Sequence, residues 1–305
     1  MSEAVSSGEK LKFLDTTLYT VVMNTGLRWL PVAAAVGPAA LPLWLLALVT
    51  FFIPLASATA ELTDRIEGEG GIYIWVRETY GPVAGFLCGW FYWFALMPYF
   101  AGILYFNAGL ALSALGLDTT NTGLYLAICT AIAIAVTLLQ LVGLRFSKWL
   151  PNAGTLASWV ILAALVLVAG TLLARHESAT NFAAGPFIAP FNFDTAILWG
   201  TIVFAYSGIE AVAFMRNDIE GGMKTILRVL AIVGVVIGIL YLVGTIAMLV
   251  ILPAGQMTRL GGFADVLRAV FARGGMPGLT PYAIAFLSLS MLGGFTAWFG
   301  AGARL

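Results

Sequence analysis

The sequence predicts an all-α polytopic membrane protein of about eight helices, on three observations. Hydrophobic residues make up 61% of the 305 and charged residues 10%, with a mean hydropathy of +0.96. Soluble domains run at about 45–50% apolar and about 25% charged, so this chain has too little polar surface to cover itself in water. The second observation is a series of charge-free intervals, 29–60, 79–117, 119–144, 149–174, 229–258 and 274–303. Each is long enough for a bilayer-crossing helix, which needs about 20 residues. The third is a pair of stretches near 13–36 and 196–214 that read as crossings interrupted by a glycine and a charge.

In chain order, residues 1–12 are polar and lack the apolar core and small-residue cleavage site of a secretory signal. They read as a tail leading into the first crossing. Helices are then expected near 13–36, 41–61, 83–112, 123–144, 150–173, 196–215, 226–252 and 281–305. Between the seventh and eighth, the segment 253–280 carries Phe263, Val266, Leu267, Val270 and Phe271 at helical spacing, with Asp265 and Arg268 off that stripe. This predicts an amphipathic helix at the membrane surface that packs over the helix ends.

Basic residues in short loops set orientation. With the N-terminus inside, Lys10, Lys12, Arg65, Arg77, Arg145, Lys148, Arg216, Lys224, Arg228 and Arg304 fall on the cytoplasmic side. Arg175, Arg259, Arg268 and Arg273 fall outside, and Arg28 lies within a crossing. The expected location is the cell (plasma or inner) membrane with a cytoplasmic N-terminus.

Fifteen basic and fifteen acidic residues leave no net charge, and with it no electrostatic footprint for nucleic acid. Cys88 and Cys129 have no metal-ligand or disulfide-framework spacing. No metal or cofactor is expected.

Charged residues inside a crossing are costly and mark function by default. Arg28 and Glu210 stand out, and their contexts match: Thr25-Gly26-Leu27-Arg28 parallels Ser207-Gly208-Ile209-Glu210. A glycine beside a small polar residue lowers the cost of leaving helical geometry. Backbone groups freed in this way persist in a membrane only where they line a cavity or meet a ligand. A half-helix N-terminus suits a carboxylate, and freed carbonyls suit an ammonium, so a pair of such breaks fits a zwitterionic α-amino acid. Against this stand packing glycines and a structural ion pair between Arg28 and Glu210. Of the aromatic residues near 90–100, one or two are expected to touch substrate and the others to face lipid or pack.

Several segments resemble the amino acid–polyamine–organocation superfamily of permeases, whose best-known bacterial members include arginine/agmatine and glutamate/GABA antiporters. Gly68-Glu69-Gly70-Gly71-Ile72-Tyr73-Ile74-Trp75, ending in Gly81-Pro82, resembles the family's signature in the loop between helices 2 and 3. Asn24-Thr25-Gly26 followed by Leu30-Pro31, Phe204 through Glu210, and Gly293-Gly294-Phe295 resemble its motifs in helices 1, 6 and 8. The resemblance implies the leucine-transporter-like inverted-repeat fold with discontinuous helices 1 and 6. A first five-helix repeat would span about 13–174 and an incomplete second repeat about 195–305. It also implies about twelve helices, so the chain reads as truncated after the eighth, and transport is expected of a longer product.

Carried over by position, backbone N–H groups at Asn24, Thr25 and Gly26 would hold the substrate carboxylate. Carbonyls at Val22, Phe204 and Ser207, beside Gly208, would take the amino group. Phe204 would gate the site, Tyr92 would help close its outer side, and Phe295 would line the side-chain pocket. Glu210 would link gating to protonation. Arg28 departs from the family pattern; it would pair with Glu210 or favour an acidic substrate.

The implied function is secondary active transport of an amino acid by alternating access, as antiporter or proton-coupled symporter. Its partners would be the lipid bilayer, an amino acid and, as coupling ion, protons; a homodimer is the assembly to test. A polyamine or organic-cation permease and a transporter-like sensor are the alternatives. An enzyme is not expected, because the one histidine, His176, lies in a loop with no nucleophile motif nearby.

Overall fold

The structure, a computed structural model, describes residues 10–118, 121–183, 185–190, 192–257 and 263–305. Most of the expected tail (1–9) and Arg259 lie outside the described residues. These residues fold into helices, with no sheet and one isolated parallel bridge between Leu11 and Ile219.

The first crossing is broken. Helix α1 (Phe13–Asn24) ends where Thr25 turns extended, at φ −97° and ψ 105°. The chain resumes as α2 (Trp29–Ala34), with Pro31 in its first turn, where a missing N–H costs nothing. Neither half is long enough to cross alone.

Among the described residues seven further helices are long and apolar enough to span a membrane. They are α3 (Gly37–Arg65), α5 (Pro82–Leu115), α6 (Thr122–Leu141), α7 (Leu144–Ala174), the interrupted Thr195–Asp218, α9 (Gly222–Ile251) and a last one within Pro277–Gly302. With the broken first crossing, that agrees with the eight-helix expectation. The interrupted crossing consists of α8 (Phe193–Ala205) and a 3-10 segment, Ile209–Asp218.

One element was read as loop and is helix: α4 (Ile72–Tyr80) buries Ile74 and Trp75. Its glycine-rich flanks hid it, because Gly70, Gly71 and Gly81, all at positive φ, end the chain's regular geometry on both sides. The amphipathic helix α10 (Phe263–Arg273) buries the five residues of its expected stripe, Phe263, Val266, Leu267, Val270 and Phe271.

The last helix, α11 (Thr280–Gly302), lies against α7 so closely that backbones nearly touch. A Cβ on Gly293 would stand 2.8 Å from the Gly154 Cα, so only glycine fits both sides of this crossing. Two apolar clusters result. The larger is built around Trp44, Tyr206 and Tyr241; the smaller, around Tyr19, Phe214 and Trp298, lies beneath the two breaks. Helix α6 is peripheral, with Val136 its one buried residue.

Beneath the breaks the chain is tied together. Leu11 N–H donates to the Asp218 carbonyl at 2.7 Å, and Glu220 N–H donates to the Leu11 carbonyl at 2.9 Å. Arg216 donates to the carbonyls of Thr63 (2.6 Å) and Ile66 (3.0 Å), and Arg304 pairs with Asp218 at 2.6 Å.

Candidate functional site

The two breaks meet on one cavity of about 190 Å³, room for roughly six waters at liquid density. Val22, Asn24, Thr25, Gly26 and Arg28 from the first break line it, with Phe204, Ser207 and Glu210 from the second. Tyr92 and Tyr99 of α5, and Ser290, Gly294 and Trp298 of α11, complete the wall.

The backbone at the breaks is redirected rather than left open. Gly26 N–H, which would bond to the Val22 carbonyl in an unbroken helix, donates instead to the Tyr241 hydroxyl at 3.1 Å. That hydroxyl also lies 3.1 Å from the Asn24 carbonyl and 3.0 Å from the Ala205 carbonyl. It carries one proton and donates to one of them at a time. Tyr241 on α9 therefore ties both breaks to a single oxygen. Its ring stacks on Trp44 at 4.2 Å, and Trp44 is fixed by a hydrogen bond to Thr245 at 3.0 Å. The Met23 carbonyl accepts from Trp298 Nε1 at 2.8 Å. Among the described residues the N–H groups of Thr25 and Leu27 have no protein partner.

At the second break Gly208 adopts φ +111°, a conformation that L side chains rarely adopt. A Cβ there would also run into the Trp298 ring. Gly208 N–H donates to Glu210 Oε2 at 3.0 Å, and the Tyr92 hydroxyl donates to Oε1 at 2.8 Å. Both carboxylate oxygens of Glu210 are thus engaged. Arg28 makes no ion pair or hydrogen bond among the described residues. Its guanidinium lies over the rings of Trp29 (4.6 Å to the centroid) and Tyr99 (5.3 Å).

Three residues of this lining carry a buried side-chain oxygen without a partner: Asn24 Oδ1, Thr25 Oγ1 and Ser290 Oγ. These residues are 2%, 5% and 1% exposed. Buried polar atoms are nearly always hydrogen-bonded, so such a group calls for a solute or water to satisfy it.

Most of the residues singled out by sequence come together here, with five differences. Phe295 is absent from the lining: it is buried against Phe100 of α5, ring centroids 5.3 Å apart, and Phe299, and its neighbour Gly294 takes the place on the wall. Gly208 is also absent, since its backbone is spent on Glu210 and its open face on Trp298. The Arg28–Glu210 pair is not formed, each group having other neighbours. Tyr92, expected to help close the outer side, points instead at Glu210; Tyr99, two turns along α5, is the ring beside Arg28. The Phe204 carbonyl, a candidate for the amino group, already accepts from Ser207 N–H at 3.0 Å and from Ser207 Oγ at 2.7 Å. Tyr92 and Tyr99 line the cavity, whereas Trp90, Phe91, Trp93 and Phe94 are exposed on the outside of the bundle. Tyr241, Trp298 and Ser290 were missed.

Among the described residues no group of three or more His, Cys, Asp or Glu stands close enough to hold a metal ion.

The chain is 25% identical to an uncharacterized transporter of Legionella pneumophila over 96% of its own length and 64% of that protein's. It is 25% identical to a probable agmatine/putrescine antiporter of Lactococcus lactis, covering 87% of this chain and 56% of that one. A glutamate/gamma-aminobutyrate antiporter of Lactococcus lactis matches at 28% over 56% of the chain and 35% of its own length. The chain thus spans less than two thirds of the relatives it matches. The amino acid permease family profile covers residues 11–305; with its broken crossings joined on one cavity, the chain is an integral membrane protein that belongs to the amino acid permease family.

Proposed function

We propose that this chain forms the substrate-binding part of a secondary transporter that moves an amino acid by alternating access, as an antiporter or a proton-coupled symporter. The observation that carries the reading is the cavity shared by two interrupted crossings, with backbone N–H groups left unclaimed at the first. An α-carboxylate would meet the N–H groups of Thr25 and Leu27. The amino group would meet the Val22 carbonyl, which Tyr241 deprives of its helical partner. Phe204, half exposed over the cavity with its ring edge-on to Trp29 at 5.8 Å, would gate it. Glu210 would couple gating to protons through Tyr92.

The reading extends to the fold: residues 13–174 form a first five-helix repeat and 195–305 part of a second, inverted one. The bias of basic residues supports a cytoplasmic N-terminus in the plasma or inner membrane. In that orientation the tie of Leu11, Arg216 and Arg304 to the segment 209–220 closes the cytoplasmic side. A homodimer is consistent with this reading.

Polyamines, cargo of the kind named for one Lactococcus relative, fit less well, because Arg28 sets a like charge in the cavity. Counterflow of labelled amino acids into proteoliposomes tests the proposal. With the complete gene product, saturable exchange supports it; saturable binding with no counterflow would turn it into a sensor.

A further inference from the structure

We infer that the cargo carries a second carboxylate, held by Arg28: the site selects an acidic amino acid over its amide. This rests on the transport reading above and adds the substrate class to it.

A guanidinium in a confined cavity is costly unless an anion or hydrogen-bond acceptors meet it. Arg28 has neither among the described residues. Glu210 is the only acid in the lining, and its two oxygens are taken by Tyr92 and Gly208. What holds Arg28 is two ring faces, Trp29 and Tyr99. Contacts of that kind hold the charge by cation–π attraction and leave the guanidinium N–H donors unspent. The result is a guanidinium without an acceptor, and its natural complement is a carboxylate, which can take two parallel hydrogen bonds from it.

The zwitterionic end does not need Arg28. Thr25 and Leu27 N–H groups are unclaimed, and the Val22 carbonyl has lost its helical donor to Tyr241. The first break thus offers donors and an acceptor for the α-carboxylate and amino group, and the side chain one turn further on offers a separate anion site. A neutral cargo would leave that half-buried cation unmet. Rejection by stranded polar groups is the stronger form of selectivity.

The test is equilibrium binding of L-glutamate, L-aspartate, L-glutamine and L-asparagine to the purified chain in lipid nanodiscs. Wild type is expected to bind one of the acids at least tenfold tighter than its amide. Arg28→Gln is expected to reduce that preference to under twofold, with the acids losing affinity. Arg28→Lys keeps the charge but not the two parallel donors and retains part of the preference; it also serves if the Gln variant does not fold. Equal binding of acid and amide by wild type overturns the inference and leaves the transport reading standing. So does a loss of acid and amide binding alike in folded Arg28→Gln, which would assign Arg28 to the α-carboxylate. No binding of any of the twenty amino acids by folded wild type would overturn both readings.

Discussion

Removing one oxygen atom at Tyr241 should loosen both breaks at once, and its neighbour Tyr206 supplies the control. The Tyr241 hydroxyl accepts from Gly26 N–H and donates to the Asn24 or Ala205 carbonyl. Tyr241→Phe keeps the ring and its stacking on Trp44 but strands one donor and one acceptor. A buried polar group left without its partner costs about 1–3 kcal/mol, which gives roughly 2–6 kcal/mol for two. Gly26 borders the cavity and can recruit water, so about 2–3 kcal/mol is the expected loss. Tyr206 packs in the same cluster, ring centroids 5.3 Å from Tyr241, but its buried hydroxyl has no partner. Tyr206→Phe discards an unmet polar group and should change stability by no more than about 0.5 kcal/mol, or raise it. Reversible unfolding in mixed micelles, followed by circular dichroism, reads both. If the two variants agree within about 0.5 kcal/mol, or Tyr206→Phe costs more, the assignment of Tyr241 as the tie between the breaks is wrong.

Glu210→Gln should alter the pH profile of transport in proteoliposomes; an unchanged profile would leave Glu210 a structural part of the second break. A double-substitution cycle of Arg28→Gln and Glu210→Gln should show additive effects on stability within about 0.5 kcal/mol, since the two groups do not touch, whereas a larger coupling would mean that they pair. Asp15→Ala takes the carboxylate from Lys148 (3.0 Å) and Asn152 (2.8 Å) where the lysine side chain is 9% exposed; a loss of about 3 kcal/mol is expected, read by the same unfolding assay. Arg216→Ala removes the ties to the Thr63 and Ile66 carbonyls. Valued conservatively at about 2 kcal/mol, their loss should raise the maleimide labelling rate of a cysteine at buried Met215 roughly thirtyfold in a background lacking Cys88 and Cys129, and unchanged labelling would show that they do not hold this end closed.

The crossings were legible because membranes impose a coarse rule. Thirty charges in 305 residues leave intervals whose ends are fixed by cost, and the expected boundaries fall within a few residues of most of the observed helices. The breaks were legible for a related reason. A charge in mid-span next to a glycine and a hydroxyl is too costly to be incidental, and both such places proved to be bent. Helix α4 was not legible, because nine residues between glycines give too short a period to separate from loop. Its buried face, Ile74 and Trp75, is two side chains.

The partners of the broken backbone were hidden for a different reason. Tyr241 and Trp298 sit in long apolar runs, where one aromatic more is the ordinary composition of a membrane helix. What distinguishes them is where a single O–H or N–H lands after five or more helices have packed, and no local pattern encodes that. Their hydrogen-bonding ends did carry a signal: an amphipathic ring far from either end of a span needs a polar partner, and the breaks are where unpaired backbone is found. The choice between the two roles open to Arg28, a pair with Glu210 or an acidic substrate, was hidden in the same way. Opposite charges in matching motifs suggest a pair, but Gly208 N–H stands two residues from Glu210 and Tyr92 faces it, so the carboxylate is satisfied locally. That leaves the cation turned to the cavity, and of its two roles the one that remains is a difference between an acid and its amide that binding can measure.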